Sequence, residues 1–561
     1  MGIERSTLSN RVNPDAGIID SGPCLRGFPF LMEMAESEHK DLSLASFATD
    51  QAIIRIIAKE RVKNVKRMDR WKEGECPNEP VPDPMLLSIT PPSQLWRKYG
   101  HNGNGDRNAK YHALTKGLTR LMEHDVAKAD APKYAVSLKQ FIETVQSAAR
   151  TGEFAFEKPV VLAKFKKKDD SGKKKIYRPI CSYTDLTAKV VIAILADYLA
   201  TTFDKYFHEE MLAFRKPRTY HGCPGVITSN HDALKRILEY RAAHDDQQIW
   251  VAECDIQKFF DIIDHQVVLE CFDRLAGIAA KDNPGLDMST ARTLLQSFMD
   301  SYSFPANVKA LNNDTTFWQK LLGDNWNEGT EYKFEWIEEW MVNEPENATS
   351  IGIPQGASIS AVITNMVLSS VDEPIVSKPD SERLFVRYCD DIVIMHTSQA
   401  ECMALTDQYR QSLETHHLLY HPFKNIDTFA ERKCYWDCKS KNPFLWGEGQ
   451  DPKSAAKWIG FLGFEISHKG DVRVRKSTIA KKSDKLYRAA KLVLNAPNPD
   501  SHDRRLELLR NTNVGIPGYK YYPNNILYSH TGITPNPYTN HQVRMLRRTL
   551  LDYIRECVDD K

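Results

Sequence analysis

Apolar and polar residues alternate along only a few short stretches of this chain, and two of those stretches fold back on themselves. Leu384, Val386 and Tyr388 alternate with Phe385 and Arg387, and Ile392 to Met395 follow as a second apolar run. Two strands are predicted there, with Cys389-Asp390-Asp391 near the turn. Val160 to Phe165 and Lys175 to Ile180 form a second strand pair about the turn Asp169-Asp170-Ser171-Gly172. Gln248 to Cys254 reads as a lone strand running into Asp255-Ile-Gln-Lys-Phe-Phe-Asp261. Elsewhere the spacing is helical: Leu42 to Met68, the stretch after the Gly/Asn loop Gly100–Asp106 through about Ala149, Asp185 to Phe203, and Ser358 to Ser370. Pro77, Pro80, Pro82, Pro84, Pro91 and Pro92 predict a stiff connection and a domain boundary. Residues 275–345, which include Trp336 and Trp340, are expected to be an insertion on the surface of a core domain. No apolar run is expected to reach membrane-spanning length, and Val190 to Ala200, which carries Asp197, reads as a buried amphipathic helix.

Length and charge change this picture only locally. A chain of 561 residues can hold two to four domains. Its net charge of +1 supplies no overall field, so a nucleic-acid partner must be met by local basic patches. Eleven scattered cysteines do not form a disulfide framework and point to a reducing cytoplasm. Cys434 and Cys438, with His416, His417 and His421 upstream, lack the second spaced pair of a zinc site and are expected to be ordinary thiols and imidazoles. The N-terminus has no apolar signal core.

Several stretches carry candidate chemistry. Two adjacent carboxylates between apolar strands are either an ordinary solvated turn or a site that a divalent cation neutralises. Asp255, at the end of its strand, suits a metal ligand or a helix N-cap. Lys158 to Arg178 holds nine Lys or Arg against two Asp, which suits a triphosphate or nucleic-acid backbone, or else a solvated edge that discourages aggregation. Phe214-Arg-Lys-Pro-Arg-Thr-Tyr-His-Gly222 mixes cations and rings as phosphate contact with base stacking would require. Arg61, Lys63, Lys66, Arg67 and Arg70 give the first long helix a basic face, either RNA-facing or simply solvated. Gly352 and Gly356 in Ile351-Gly-Ile-Pro-Gln-Gly-Ala-Ser permit close backbone approach.

Taken in order, these stretches resemble the reverse transcriptase family. The resemblance rests on the basic hairpin ending in Arg178-Pro-Ile, Phe214-Arg-Lys-Pro, Asp255-x-x-Lys-Phe-Phe-Asp, Pro354-Gln-Gly-x-x-x-Ser-x-x-x-x-Asn365, Tyr388-Cys-Asp-Asp391, Lys424 and Phe461-Leu-Gly-Phe464. It implies an α+β right-hand polymerase fold with fingers, a palm built on an antiparallel sheet, a helical thumb, and an α-helical N-terminal extension. The divisions expected are 1–95 for the extension and Pro-rich connection, 96–245 for fingers, 246–455 for palm, and 456–561 for primer grip and basic thumb. It implies an RNA-directed DNA polymerase, a nucleotidyltransferase, in which Asp255, Asp390 and Asp391 hold two Mg²⁺ ions, with Mn²⁺ as an alternative. Arg178 and one of Lys166 or Lys167 would hold the incoming triphosphate. Gln355 and Gly356 would line its pocket, and Lys424 would lie near the pyrophosphate. Phe260 would fill the space of a 2′-hydroxyl and so select dNTPs. Arg215, Tyr388, Phe461, Leu462 and Gly463 would meet primer or template. Asp471 to Lys491, with eight basic and two acidic residues, would touch the duplex backbone. For the tail, with Arg504 to Arg510, Tyr519 to Tyr522, Arg544, Arg547 and Arg548, nucleic-acid contact and partner packing stay equally open.

No stretch reads as an RNase H, integrase or protease domain, and Cys389 stands where the mobile-intron type usually carries alanine. The chain most resembles the bacterial enzymes of the "unknown group" and abortive-infection sets, which implies a non-coding RNA template, DNA product and a role in anti-phage defence in the cytoplasm. A retron-type or mobile-intron-type enzyme is the alternative, and an inert RNA-binding scaffold is the alternative of another class. A second copy or a partner protein stays open, and no membrane partner is expected.

Overall fold

The structure is a computed structural model. It describes residues 42–484 apart from 73–82, 103–106, 170, 221, 337–349, 450–453 and 482, together with a few positions between 541 and 548. The expected N-terminal segment 1–41, the part of the Pro-rich connection up to Pro82, Trp340, the thumb beyond residue 484 and the basic tail at 504–522, with Arg544 and Arg547, lie outside the described residues.

The described residues begin with a helical stretch that includes α1 (Leu44–Phe47), α2 (Asp50–Lys72), α3 (Arg107–Ala127) and α4 (Lys133–Thr151). The basic face expected on α2 is only partly solvated. Arg61 is buried with its guanidinium over the Trp96 ring, and the Lys66 ammonium lies over Tyr111. The basic hairpin follows as β1 (Val160–Lys168) and β2 (Lys174–Ser182), paired antiparallel with Lys164 opposite Arg178. Asp185 then caps α5 (Leu186–Phe203) by accepting from the amides of Thr187 and Ala188.

α5 is buried on almost every face rather than amphipathic, because it runs through the middle of the largest core. It and α9 (Ile359–Val376) correct the expectation about apolar runs. Leu186–Tyr206 and Ile359–Val376 are both long and apolar enough to cross a membrane by length and composition, and both are mostly buried inside the protein. A helix apolar all round needs burial, and here neighbouring helices and a sheet supply it.

Between them lie α6 (Asn230–Ala243), β3 (Trp250–Asp255), α7 (His265–Asp282), α8 (Ser289–Asp300) and β4 (Glu331–Phe334). The described part of the stretch 275–345 packs against the rest of the protein. Leu294, Leu295 and Phe298 of α8 sit in the main core, and β4 pairs in parallel with β2 to complete a three-stranded sheet. Its aromatics explain the Trp content: Trp318, Tyr332 and Phe334 pack with Tyr177 of the hairpin as a small core of their own.

The second sheet carries the acidic residues. β5 (Arg383–Tyr388) and β6 (Asp391–His396) form the predicted hairpin, β6 pairs antiparallel with β3, and β3 pairs antiparallel with β7 (Ser440–Trp446). Two-residue strands at Ala455–Ala456 and Phe423–Lys424 join β7 in parallel, so the six-stranded sheet is antiparallel except where these two strands join it. α5, α7, α9 and α10 (Gln399–Thr415) contribute to the main core on one face; α6 and the hairpin β8 (Trp458–Phe461) and β9 (Phe464–Ser467) contribute to the second cluster on the other. The chain is α+β, as expected.

Candidate active site

Strand pairing decides which acids meet. β3 and β6 are in register so that Asp255 is the direct cross-strand partner of Asp391, while Asp391 is also opposite Tyr388 across the hairpin. Residues 136 positions apart thus stand side by side at one edge of the sheet, with Asp390 in the adjoining turn. Asp255 is the last residue of β3 and not an N-cap, since the next helical turn, Phe259–Ile262, begins behind Lys258. Cys389, just before the acidic pair, adopts a left-handed φ of 59°.

Burial, and after it the neighbouring acidic charges, raise the carboxyls of Asp391 and Asp390. Burial pushes the Asp391 carboxyl up to about 7, helped by the charges of Asp390 and Asp255 and opposed by Arg475 and Lys439. Asp390 is also raised, by burial first and Asp255 second. Asp255 is met by a cation already: the Lys439 ammonium donates to its two oxygens at 3.0 and 3.1 Å, and His421 Nε2 lies 3.4 Å from one of them. Its own amide donates to Ser440 Oγ at 3.1 Å.

Among the described residues, no three His, Cys, Asp or Glu side chains converge as a formed metal cage. The donor chemistry nonetheless fits a hard divalent cation. Three carboxylates at adjoining strand positions repel one another, and an ammonium already rests on one of them. The residues once weighed as a zinc set have other partners: Cys438 Sγ donates to Ser440 O, His416 Nδ1 to Ser412 O, and His417 Nδ1 lies 2.9 Å from Asp264.

The glycine loop is laced to the site by its backbone. Cys181 N donates to Gln355 O (2.8 Å), Ile353 N to Phe260 O (2.9 Å) and Gly352 N to Ile263 O (2.8 Å). Gly356 has φ 123°, and a Cβ there would lie 2.8 Å from Cys181 O; at Gly352 it would lie 2.8 Å from Phe304 Cβ and 2.9 Å from Asp261 O. The loop therefore ties β2 to the segment after Asp255. Gln355 Nε2 donates to Asp261 Oδ1 at 2.8 Å, and burial raises the Asp261 carboxyl to about 6 against the pull of Lys258 and that hydrogen bond. Phe260 is half-buried beside the loop, while Phe259, edge-on to it with ring centroids 5.4 Å apart, belongs to the core.

Arg178 is exposed on β2, and its charge acts on both Asp390 and Asp261. Lys166 and Lys167 are less free than the sequence implied. Glu335, just after β4, lies 2.8 Å from Lys166 Nζ, 3.6 Å from Lys167 Nζ and 3.1 Å from Lys258 Nζ. Burial works against the ionised form of Glu335, yet the hydrogen bond from Lys166 and the charge of Lys258 prevail and hold it down to about 2. Lys424 is exposed, on the two-residue strand against β7.

Arg215 is a correction. Its guanidinium is buried, donates to both carboxylate oxygens of Asp204 (2.9 and 3.2 Å) and to the carbonyls of His208 and Met211, and has nothing left for nucleic acid. Lys216 is likewise held by Asp197. Arg215 and Lys216 are structural because α5 and the turn after it supply buried carboxylates that demand them. Tyr388 and Phe461 are also buried, so of the expected primer-contacting residues only Leu462 and Gly463 present themselves. They form the β8–β9 turn at φ 50° and 85°. Arg475 N donates to Gly463 O at 3.0 Å, which brings this turn and the charge felt by Asp391 together.

Lys439, His421, Glu335, Lys258 and Asp261 were missed by sequence reasoning. Lys258 and Asp261 lie inside the Asp255-x-x-Lys-Phe-Phe-Asp stretch and could have been found there; the others carry no local signal.

Residues 314–466 match the family described as reverse transcriptase (RNA-dependent DNA polymerase). Among curated proteins none matches the chain. Solved structures similar to it include telomerase from Candida albicans in complex with a TWJ fragment of telomeric RNA, with 11% identity, 80% of this chain and 73% of that chain covered, and a TM-score of 0.34. Telomerase from Candida tropicalis in complex with a TWJ fragment of telomeric RNA gives 11%, 90%, 78% and 0.35. The matched family segment takes in Asp390, Asp391 and the strands around them, so the chain carries a reverse transcriptase domain, that of an RNA-directed DNA polymerase and nucleotidyltransferase.

Proposed function

We propose that Asp255, Asp390 and Asp391 are the catalytic carboxylates of RNA-directed DNA synthesis and that they hold Mg²⁺, with Mn²⁺ able to replace it. The single observation carrying this reading is the register that makes Asp255 and Asp391 cross-strand neighbours. When bound, such ions supply Lewis acidity that activates a primer 3′-hydroxyl and neutralises the departing pyrophosphate. The chain's own residues do the rest. Arg178, facing the acids from the exposed side of β2, attracts and orients the triphosphate. The backbone of Gln355 and Gly356, fixed against Cys181, forms the floor on which the nucleotide rests. The Phe260 ring beside that floor occupies the 2′ side and favours dNTPs. The Leu462-Gly463 turn, close to the charge of Arg475, holds the primer end.

At the level of biology, the reading is a polymerase that copies a structured non-coding RNA in cytoplasmic anti-phage defence. What supports it is the Tyr388-Cys-Asp-Asp391 centre together with the helical stretch ahead of β1. Retention of all three acids and of Gly356 favours turnover over an inert scaffold. The test is incorporation of labelled dNTPs with Mg²⁺ by the wild type and by Asp390→Ala/Asp391→Ala. Incorporation by the wild type alone is expected, and equal incorporation by both removes the assignment.

A further inference from the structure

The turn that carries the acidic pair is held in an unfavourable conformation, and something must hold it. Cys389 has a φ of 59°, where a side chain other than glycine costs about 1 kcal/mol or more. Directly beneath it lies a charge pair sealed from solvent: Arg387 and Asp372 side chains are both 0% exposed. Arg387 Nε donates to Asp372 Oδ2 at 2.6 Å, and its Nη1 donates to the carbonyl of Cys389 at 3.2 Å. Asp372 belongs to α9, which packs into the main core beneath the sheet. The Arg387 backbone is pinned too: its N–H donates to Glu210 O, and its carbonyl accepts from Leu212 N, both at 3.2 Å.

A buried ion pair is an expensive way to fill space, since apolar residues of equal volume would serve stability as well or better. Its presence three residues before Asp390, with one arm on the turn, calls for a role besides packing. A guanidinium can hold a carboxylate and a carbonyl at once because its N–H groups fan out in a rigid plane; an ammonium on a flexible stem cannot reproduce both directions.

We propose that Arg387, anchored by Asp372, is a positioning residue. It clamps Cys389 in the left-handed turn and thereby aims Asp390 and Asp391 toward Asp255. This rests on the reading of the three acids as metal ligands. Arg387 touches neither substrate nor metal and acts through the backbone alone.

The test is Mn²⁺ binding to the full chain, followed by the EPR signal of the free ion, alongside melting temperature and the kcat and KM for dNTPs. The variants are Arg387→Lys, Asp372→Asn and, as a reference, Asp390→Asn/Asp391→Asn. In Arg387→Lys, Mn²⁺ affinity and kcat fall about tenfold, the usual size for loss of a group that orients a metal ligand, while KM changes by less than about twofold. Asp372→Asn keeps a hydrogen-bond acceptor for the guanidinium and shows a smaller loss in the same direction; it decides the matter if Arg387→Lys fails to fold. A folded variant with wild-type Mn²⁺ affinity and kcat overturns the proposal, even if its melting temperature drops, because packing alone then explains the pair. If Mn²⁺ binding survives in Asp390→Asn/Asp391→Asn, the metal reading falls and takes this one with it. If binding is lost there yet unchanged in Arg387→Lys, only the clamp falls.

Discussion

The palm centre and the fingers hairpin solve opposite electrostatic problems. At the centre, three carboxylates are brought together by strand register, and the pKa values of Asp390 and Asp391 rise because their charges are crowded and buried. On the hairpin, lysines crowd one another and are met by acids at and beside β4: Glu335 lies against Lys166 and Lys167, and Glu331 against Lys174. Each region is met by a charge of the opposite sign: the Lys439 ammonium rests on Asp255, and the Glu335 carboxylate rests against Lys166. The difference lies in rigidity. The acids sit at the edge of a sheet packed on both faces, whereas the lysines are exposed and reach their partner by flexible stems. Like charges are thus fixed at the centre, and the surrounding cations stay adjustable.

The largest effect expected from breaking this contrast is at the centre. Asp255→Asn leaves the fold intact and lowers kcat for dNTP incorporation by about a thousandfold, the scale of losing electrostatic stabilisation worth several kcal/mol. Steady-state kinetics checks this, and a loss below tenfold would place Asp255 outside the chemistry. Next comes the wall between the two regions. Phe260→Ala is expected to reduce discrimination against ribonucleotides by about 10- to 100-fold with little change in dNTP turnover. Competition between dATP and ATP measures it, and unchanged selectivity moves the gate elsewhere.

At the hairpin, Glu335→Gln removes the internal anion and frees Lys166, Lys167 and Lys258. KM for dNTPs is expected to fall by about two- to fivefold, since exposed ion pairs are worth only about 1 kcal/mol or less. A rise in KM would mean that Glu335 arranges the lysines rather than competes for them.

These contrasts were unequally legible in the amino-acid sequence. Both hairpins, the strand ending at Asp255 and the helix expected over Asp185 to Phe203 follow from periodicity and local chemistry, which act over a few residues. The pairing of Asp255 with Asp391 was reachable only through resemblance, because register between strands 136 residues apart leaves no local trace. Partners at still longer range were invisible. Nothing near Arg215 announces that Asp204 would bury it, and nothing near Asp255 points to Lys439, 184 residues away. The strand β4 was illegible for a related reason: it is only four residues long, and its strand character comes from pairing with β2 rather than from its own pattern.

A pH dependence is also expected at the centre. With its folded pKa raised to about 7, above the usual 3.8, Asp391 binds a proton in the folded state that the unfolded chain has already released. The metal-free protein therefore loses stability as pH rises from about 4 to about 7, and the loss levels off above that. A divalent ion competes with that proton, so Mg²⁺ should raise the melting temperature by a few degrees at pH 8 and have little effect at pH 5. Equal stabilisation at both values would mean that Asp391 is not among the ligands.

The most direct test of the central claim is anomalous diffraction from crystals of the protein soaked with Mn²⁺ and a dNTP. The account predicts a manganese peak within about 2.0–2.3 Å of carboxylate oxygens from both Asp255 and the Asp390-Asp391 turn, with Lys439 displaced from Asp255. Manganese bound away from these residues, or to one strand's carboxylate alone while Lys439 stays on Asp255, would contradict it.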